Sequence, residues 1–447
     1  MFMGSEFDKC PLPWTQLVVE MQGVASPCCY GKWSQFFGNV TRQSVEDIWN
    51  GEEYQKLRKM MHEKGSKVAC PQCTIRESQG LPKHTFENYE FATDKYNTNI
   101  DTLRSEYTSG VTALAGKPTS LTISPSGKCN IRCVHCALIS QGINKQEIGA
   151  QAWHLVETLT PYLNYLGWGG GEPLFLDEFK KYINNIEAAT AAQTTLGLIT
   201  NGLLLNETLL LQLSRFHSLN ATISIDAGTA KVYESIRKPG KWSVLMGNVS
   251  ACCRAREAGS NLWLTASYTI SKLNALDVCN YINLCDRLHL PTCFFYVWHY
   301  PPSMRPDIFN DVFAETTGWL ESFAQAEALA QAFDDKKYPE CFFNGEQYLI
   351  APFLRTYLEI IRAGIEKSSA YTMRNIPLDM SLEGKHVVAY TANGDTALAY
   401  GEVDAANGLR LRLPDRPVLL NVYDDIYVNN LVAQYDCSQD TAVRRSV

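Results

Sequence analysis

The chain has 447 residues, 45% of them hydrophobic, a length that predicts about two to four domains with ordinary packed cores. Its net charge of -7 and pI near 5.7 argue against a general binder of the nucleic-acid backbone, which carries a basic surplus. No apolar run comes near the ~20 residues of a membrane-crossing helix, and no basic-then-apolar export signal opens the chain, so the expected compartment is the cytoplasm. Fifteen cysteines in such a chain point to metal or redox chemistry rather than to a disulfide framework.

In chain order, Cys10-Pro11-Leu12-Pro13-Trp14 precedes an apolar strand at Leu17-Val18-Val19-Glu20-Met21, a turn at Gln22-Gly23 and the pair Cys28-Cys29. Ser44 is placed to cap a helix with Glu46 and Asp47 in its first turn, running through Ile48, Trp49, Tyr54, Leu57 and Met61 to a stop at Gly65. The basic run Lys56, Arg58, Lys59, Lys64 and Lys67 reads as one solvated helix face. Cys70-Pro71-Gln72-Cys73 follows, so that Cys10, Cys28, Cys70 and Cys73 form a four-thiolate set suited either to an iron–sulfur cluster or to structural zinc. Cys28 and Cys29 point to opposite sides of an extended chain and do not both join one site. Residues 81–117 are polar, broken at Asn97-Thr98-Asn99 and Ser109-Gly110, and predict a linker with room for one helix.

From 118 to 302 short apolar strands, at 120–125, 162–168, 194–200, 221–226, 262–270 and 292–299, alternate with helical segments, the pattern of parallel β/α units. After the first strand comes Cys129-Asn130-Ile131-Arg132-Cys133-Val134-His135-Cys136. Three thiolates at that spacing can hold three irons of a cubane and leave the fourth open, since no fourth cysteine lies close by; a zinc knuckle or a set of core thiols is the plainer alternative. The second strand runs into Gly169-Gly170-Gly171-Glu172-Pro173, the third into Thr200-Asn201-Gly202, and the fourth into Ser224-Ile225-Asp226, with Arg237 on the next helix. The sixth ends in Tyr296-Val297-Trp298-His299-Tyr300-Pro301-Pro302, an aromatic wall for a substrate with Trp168 facing it, or core packing. Cys252, Cys253, Cys279, Cys285, Cys293, Cys341 and Cys437 are left over and read as buried thiols; Cys293 and Cys341 are the two candidates for hydrogen-atom donation.

Beyond 303, helical segments near 311–334 and 347–367 precede strands at Val387–Tyr390, Ala397–Tyr400, Leu409–Arg412 and Val418–Val422, with a hairpin turn at Asn393-Gly394-Asp395. This predicts an α+β extension that closes the barrel, adds a strand to a peptide or binds a small partner subunit.

The motifs of 118–302, in this order on the strand ends, resemble the radical SAM enzymes, and the cysteines of 10–73 resemble SPASM and twitch modules. The departures are that the module precedes the barrel and that further SPASM cysteines are absent after Cys73. The resemblance implies an α/β fold built on a partial (β/α)6 barrel, divided as an auxiliary iron–sulfur module at 8–80, a linker at 81–117, the barrel at 118–302 and the extension at 303–447. It implies S-adenosylmethionine (SAM) on a 4Fe-4S cluster held by Cys129, Cys133 and Cys136, and one auxiliary 4Fe-4S cluster on Cys10, Cys28, Cys70 and Cys73. Gly170, Gly171, Glu172, Asn201, Ser224, Asp226 and Arg237 are the implied SAM contacts, with His135 beside the adenine. The expected activity is a 5'-deoxyadenosyl radical that modifies a ribosomally made peptide by crosslinking, epimerisation or excision, fed by a flavodoxin or ferredoxin. A sugar or aminocyclitol dehydrogenase or epimerase is the alternative, and a zinc-stabilised binding protein is the non-enzyme one.

Overall fold

The computed structural model describes residues 10–28, 36–70, 94–140, 142–271, 273–295, 312–336, 349–352, 354–355 and 358, together with the strands 371–376, 386–391, 397–402, 409–414, 418–423, 431–438 and 441–444. Up to residue 295 its strands are β1 (Gln16–Val19), β2 (Ala25–Ser26), β3 (Ser120–Ile123), β4 (Arg132–Cys133), β5 (Tyr165–Trp168), β6 (Thr195–Thr200), β7 (Ser218–Ser224), β8 (Arg237–Lys238), β9 (Leu262–Thr269) and β10 (Thr292–Phe295).

Eight of these form one sheet in the order β10-β9-β7-β6-β5-β3-β1-β2. The six strands anticipated between 118 and 302 are all present and parallel, each pairing with the one before it, as successive β/α units require. Burial alternates along β7: Leu219, Ala221 and Ile223 are buried, while Asn220, Thr222 and Ser224 on the other face are half-buried. Of these three, Ser224 at the strand end lines a cavity.

The N-terminal segment is built into this sheet. β1 runs parallel to β3 with Gln16 opposite Ser120 and Val19 opposite Ile123, and β2 turns back on it as a hairpin. The polar stretch read as a linker contains the helix Asp94–Ser109, whose Tyr96, Ile100 and Leu103 join Trp14 and Leu17 and the strand residues Leu121 and Leu166 in one continuous apolar core.

The helix expected from Ser44 to Gly65 is two helices, Val45–Trp49 and Glu52–Lys64. Ser44 and Asp47 make the capping box and Gly65 is the stop with a positive φ of 77°. The break falls at Asn50, whose amide pairs with Leu114 as a strand would, accepting from its N–H at 2.7 Å and donating to its carbonyl at 2.9 Å. Arg58 corrects the reading of a solvated basic face: it is fully buried, stacked on Trp49 and Tyr54, and donates to the Pro13 and Thr112 carbonyls at 2.8 Å each. Burial pulls its pKa down to about 10.

Of the two readings of Trp168, the structure takes core packing: it is 1% exposed and stacks on Trp153, with Phe179 and Tyr182 around it, filling the layer between sheet and helices. The segment 296–302 lies outside the described residues.

Past the barrel, the helix Val312–Asp335 packs on Val278–Arg287, with Lys336 paired to Asp286. Among the described residues the remaining strands are β11 (Tyr371–Ile376), β12 (His386–Thr391), β13 (Ala397–Glu402), β14 (Leu409–Pro414), β15 (Val418–Tyr423), β16 (Leu431–Ser438) and β17 (Thr441–Arg444), seven where four were expected. β13-β12-β15-β16-β17 form an antiparallel sheet and β11 pairs with β14. Among the described residues no helix is long and apolar enough to cross a membrane.

Candidate active site

The cysteine loop leaves β3 and is knit to the glycine loop that leaves β5. Gly169 N donates to Ile123 O, Gly171 N to Ser126 O and Glu172 N to Lys128 O, at 2.8 to 2.9 Å. Gly170 has a φ of +96°, and a Cβ on Gly171 would collide with the carbonyls of Lys128 and Gly127. Only glycine lets the two loops lie this close.

A second clamp comes from the far side. β4, inside the cysteine motif, pairs antiparallel with β8, so that Cys133 stands opposite Arg237, and Val134 N donates to Ile236 O at 2.9 Å. The Arg237 side chain donates through Nη1 to Cys133 Sγ at 3.8 Å. Asn201, at the end of β6, donates through Nδ2 to Cys129 Sγ at 3.7 Å and to Asn130 Oδ1 at 2.8 Å.

These elements surround a cavity of about 440 Å³ lined by Cys129, Cys133 and Cys136, and by Gly170, Gly171, Asn201, Ser224 and Arg237, with His135 among them. With Ile131, Leu138 and Ile139, its apolar lining includes Phe175 and Ile199, 44% and 58% exposed. Neither of these two carried a signal in the sequence, because an apolar residue on a strand or turn looks the same whether it faces core or cavity.

Burial pushes the Cys133 thiol up to about 11, against the pull of Arg237, and raises Cys129 as well. Ligation to a metal removes those protons. Among the described residues no group of three or more His, Cys, Asp or Glu is gathered tightly enough to hold one metal ion. A cubane puts each iron at its own thiolate and asks only that the sulfurs line one cavity. The loop fits that demand: three thiols on one wall, N–H donors on two of the sulfurs, and a glycine cradle opposite.

Two anticipated contacts stand behind the cavity wall. Glu172, 1% exposed, accepts from Leu174 N and Thr200 Oγ1 on one oxygen and from Asn201 N at 2.7 Å on the other, so it locks the end of β5 to the end of β6. Asp226 is fully buried and holds Arg237 and His135. Burial opposes its charge, yet the Arg237 guanidinium and then His135 keep its carboxyl well below the usual range.

In the N-terminal segment Cys10 opens the turn before the helix Leu12–Thr15, Cys28 follows β2, and Cys70 ends the helix Ser66–Ala69. Cys28 and Cys70 are buried, and Cys29 and Cys73 lie outside the described residues. Cys252, Cys253 and Cys285 are buried thiols, and burial pushes Cys252 and Cys285 up to about 12. Cys293 lies on β10 opposite Ser267, while Cys341 is outside the described residues.

Two family profiles match this chain: the radical SAM superfamily over residues 123–270 and SPASM, an iron–sulfur cluster-binding domain, over residues 10–74. Among curated proteins, the mycofactocin maturase MftC of Mycobacterium ulcerans is 25% identical over 172 residues, 38% of this chain and 45% of that protein. MftC of Mycobacterium tuberculosis H37Rv is 26% identical, over 38% of this chain and 42% of its own. The match spans less than half the length of these relatives. Among solved structures, Streptococcus suis SuiB bound to its precursor peptide SuiA aligns with a TM-score of 0.36 at 13% identity, covering 74% of this chain and 75% of that one.

Proposed function

We propose that this chain, which carries a radical SAM domain and an iron–sulfur SPASM domain, modifies a ribosomally made peptide by radical chemistry. The observation that carries the radical SAM part is the cavity wall on which Cys129, Cys133 and Cys136 lie together with Asn201 and Arg237 aimed at two of their sulfurs. The peptide part is supported by the curated relatives, which are maturases.

Cys129, Cys133 and Cys136 would each hold one iron of a 4Fe-4S cluster. Cys10, Cys28, Cys70 and Cys73 would hold one auxiliary cluster. When bound, the cluster and SAM would supply a 5'-deoxyadenosyl radical, and the remaining work would fall to the protein. Gly170 and Gly171 let the backbone approach the methionyl end, Arg237 presents a planar fork to a carboxylate, and Asn201 and Ser224 offer polar groups to the nucleoside. Phe175 and Ile199 keep water from the reacting atoms. Cys293 and Cys341 are hydrogen-donor candidates, and a flavodoxin or ferredoxin is the electron source. The module at 8–80, the joining segment at 81–117, the barrel at 118–302 and the extension at 303–447 then divide cluster, catalytic and docking roles, with a small partner subunit or the peptide itself on the extension.

The test is anaerobic co-expression with each small peptide encoded beside the gene, read by intact mass. Loss of hydrogen marks crosslinking or dehydrogenation, loss of a residue-sized piece marks excision, and deuterium uptake in heavy water marks epimerisation. An unchanged mass for every peptide, with SAM cleavage intact, would refute the peptide substrate.

A further inference from the structure

Asp226 never reaches the cavity, yet the groups around the cysteine loop that do reach it depend on it. Its Oδ2 accepts from Arg237 Nε at 3.1 Å, from Arg237 Nη2 at 2.5 Å and from His135 Nε2 at 3.1 Å. Its Oδ1 accepts from Thr269 N at 2.8 Å, and its carbonyl takes Asn274 Nδ2 at 2.9 Å. A carboxylate offers about four lone-pair sites, so this one is already filled by the protein. The residue also sits at a φ of 57°, a left-handed conformation in which aspartate is several-fold enriched among residues with a side chain.

We infer that Asp226 is a positioning residue for the cluster loop: it fixes the Arg237 guanidinium against Cys133 and holds His135, between Cys133 and Cys136, in the same grip. Nε and Nη2 of Arg237 turn to Asp226 and Nη1 to Cys133 Sγ, in a residue that lines the cavity. One carboxylate, from the end of β7, thereby sets the position of a cation that enters from β8 and of a histidine inside the motif. The inference rests on the radical SAM reading of the loop, and it concerns SAM binding and the spectrum of the cluster rather than the peptide.

The experiment uses the full chain reconstituted anaerobically with iron and sulfide, comparing wild type, Asp226→Asn, Arg237→Lys and the double variant. The readouts are iron content, SAM affinity and the low-temperature EPR spectrum of the reduced cluster with and without SAM. Asp226→Asn keeps shape and removes the charge that orders the guanidinium, so iron content is expected to stay at the wild-type value. SAM is expected to bind about 10- to 100-fold more weakly, the usual effect of losing an outer partner, with a changed SAM-induced spectrum. Arg237→Lys keeps a cation that cannot be gripped at both Nε and Nη2, and adding Asp226→Asn to it is expected to cost little more, because the two residues act as one unit. Wild-type affinity and spectrum in Asp226→Asn, or an equal further loss in the Arg237→Lys background, would overturn the inference. If Asp226→Asn does not fold, Asp226→Glu is read in its place, weaker SAM binding with a changed spectrum at full iron content supporting the inference and wild-type affinity and spectrum refuting it. A wild-type chain that takes up iron but shows no SAM-dependent spectral change would instead sink the radical SAM reading, and the inference with it.

Discussion

Gly171 stands where the glycine loop touches the cysteine loop, and its missing Cβ is the space filled by the Lys128 and Gly127 carbonyls. Gly171→Ala therefore forces the cysteine loop to move. The expected outcome is loss of the SAM-binding cluster with the auxiliary one retained, so that iron falls from about eight to about four per chain by cubane stoichiometry. Full iron content in that variant would contradict the close packing. This glycine was legible in the sequence only in company: a glycine run by itself is more often a turn than a site, but this one ends the second strand at a set distance from the cysteine motif and is followed by further motifs on the next strand ends. Arg58 was not, because a cation in a basic run reads as solvated unless something shows where its flat face lies. Its stack on Trp49 and Tyr54 and its two carbonyl bonds give a second prediction. Arg58→Met removes both bonds and leaves the Pro13 and Thr112 carbonyls unmet, lowering stability by about 2–4 kcal/mol, read by denaturant midpoint at unchanged slope. A shift below half of the lower figure would show that the guanidinium is not the pin between those loops.

Among the elements, the parallel strands at 118–302 were readable because each is a short apolar run separated by a helix-length stretch, and the motifs then fell on their ends as they do in β/α folds. What periodicity could not supply was pairing between distant short segments. The β4–β8 ribbon involves two residues on each side, Arg132–Cys133 and Arg237–Lys238, too few to show a pattern, yet it is what brings Arg237 to the cysteines. The helix break at Asn50 was hidden for a similar reason. Apolar spacing continues through it, and the interruption is set by a side chain pairing with Leu114, more than sixty residues on. Disrupting the ribbon without touching a thiol is expected to act like loss of the arginine itself. Lys238→Pro removes the backbone donor of β8 opposite Arg132, and the SAM-induced EPR change is expected to weaken while the auxiliary cluster is unaffected. A wild-type SAM response would show that Arg237 holds its place without the ribbon.

Taken whole, the molecule is less divisible than its sequence suggests. Composition marks a polar stretch at 81–117 between two cysteine-bearing segments, but the helix Asp94–Ser109 lies in the common core and β1 completes the sheet beside β3. Trimming the chain to residues 118–302 would bare the edge of β3 and the apolar side chains that Trp14, Leu17 and Tyr96 cover. Such a fragment is expected to be insoluble or to lose its thermal transition, and a soluble, cooperatively melting fragment would show the N-terminal segment to be dispensable for the fold. The claim on which the account turns is that the Cys129–Cys136 loop carries a SAM-cleaving cluster. Its most direct measurement is anaerobic reconstitution of wild type and of the triple variant Cys129→Ala, Cys133→Ala, Cys136→Ala, followed by iron analysis and an assay for 5'-deoxyadenosine under a strong reductant. Wild type is expected to hold about eight irons and form 5'-deoxyadenosine, and the variant to hold about four irons and form none. Tightly held zinc with no SAM cleavage in wild type would contradict that claim.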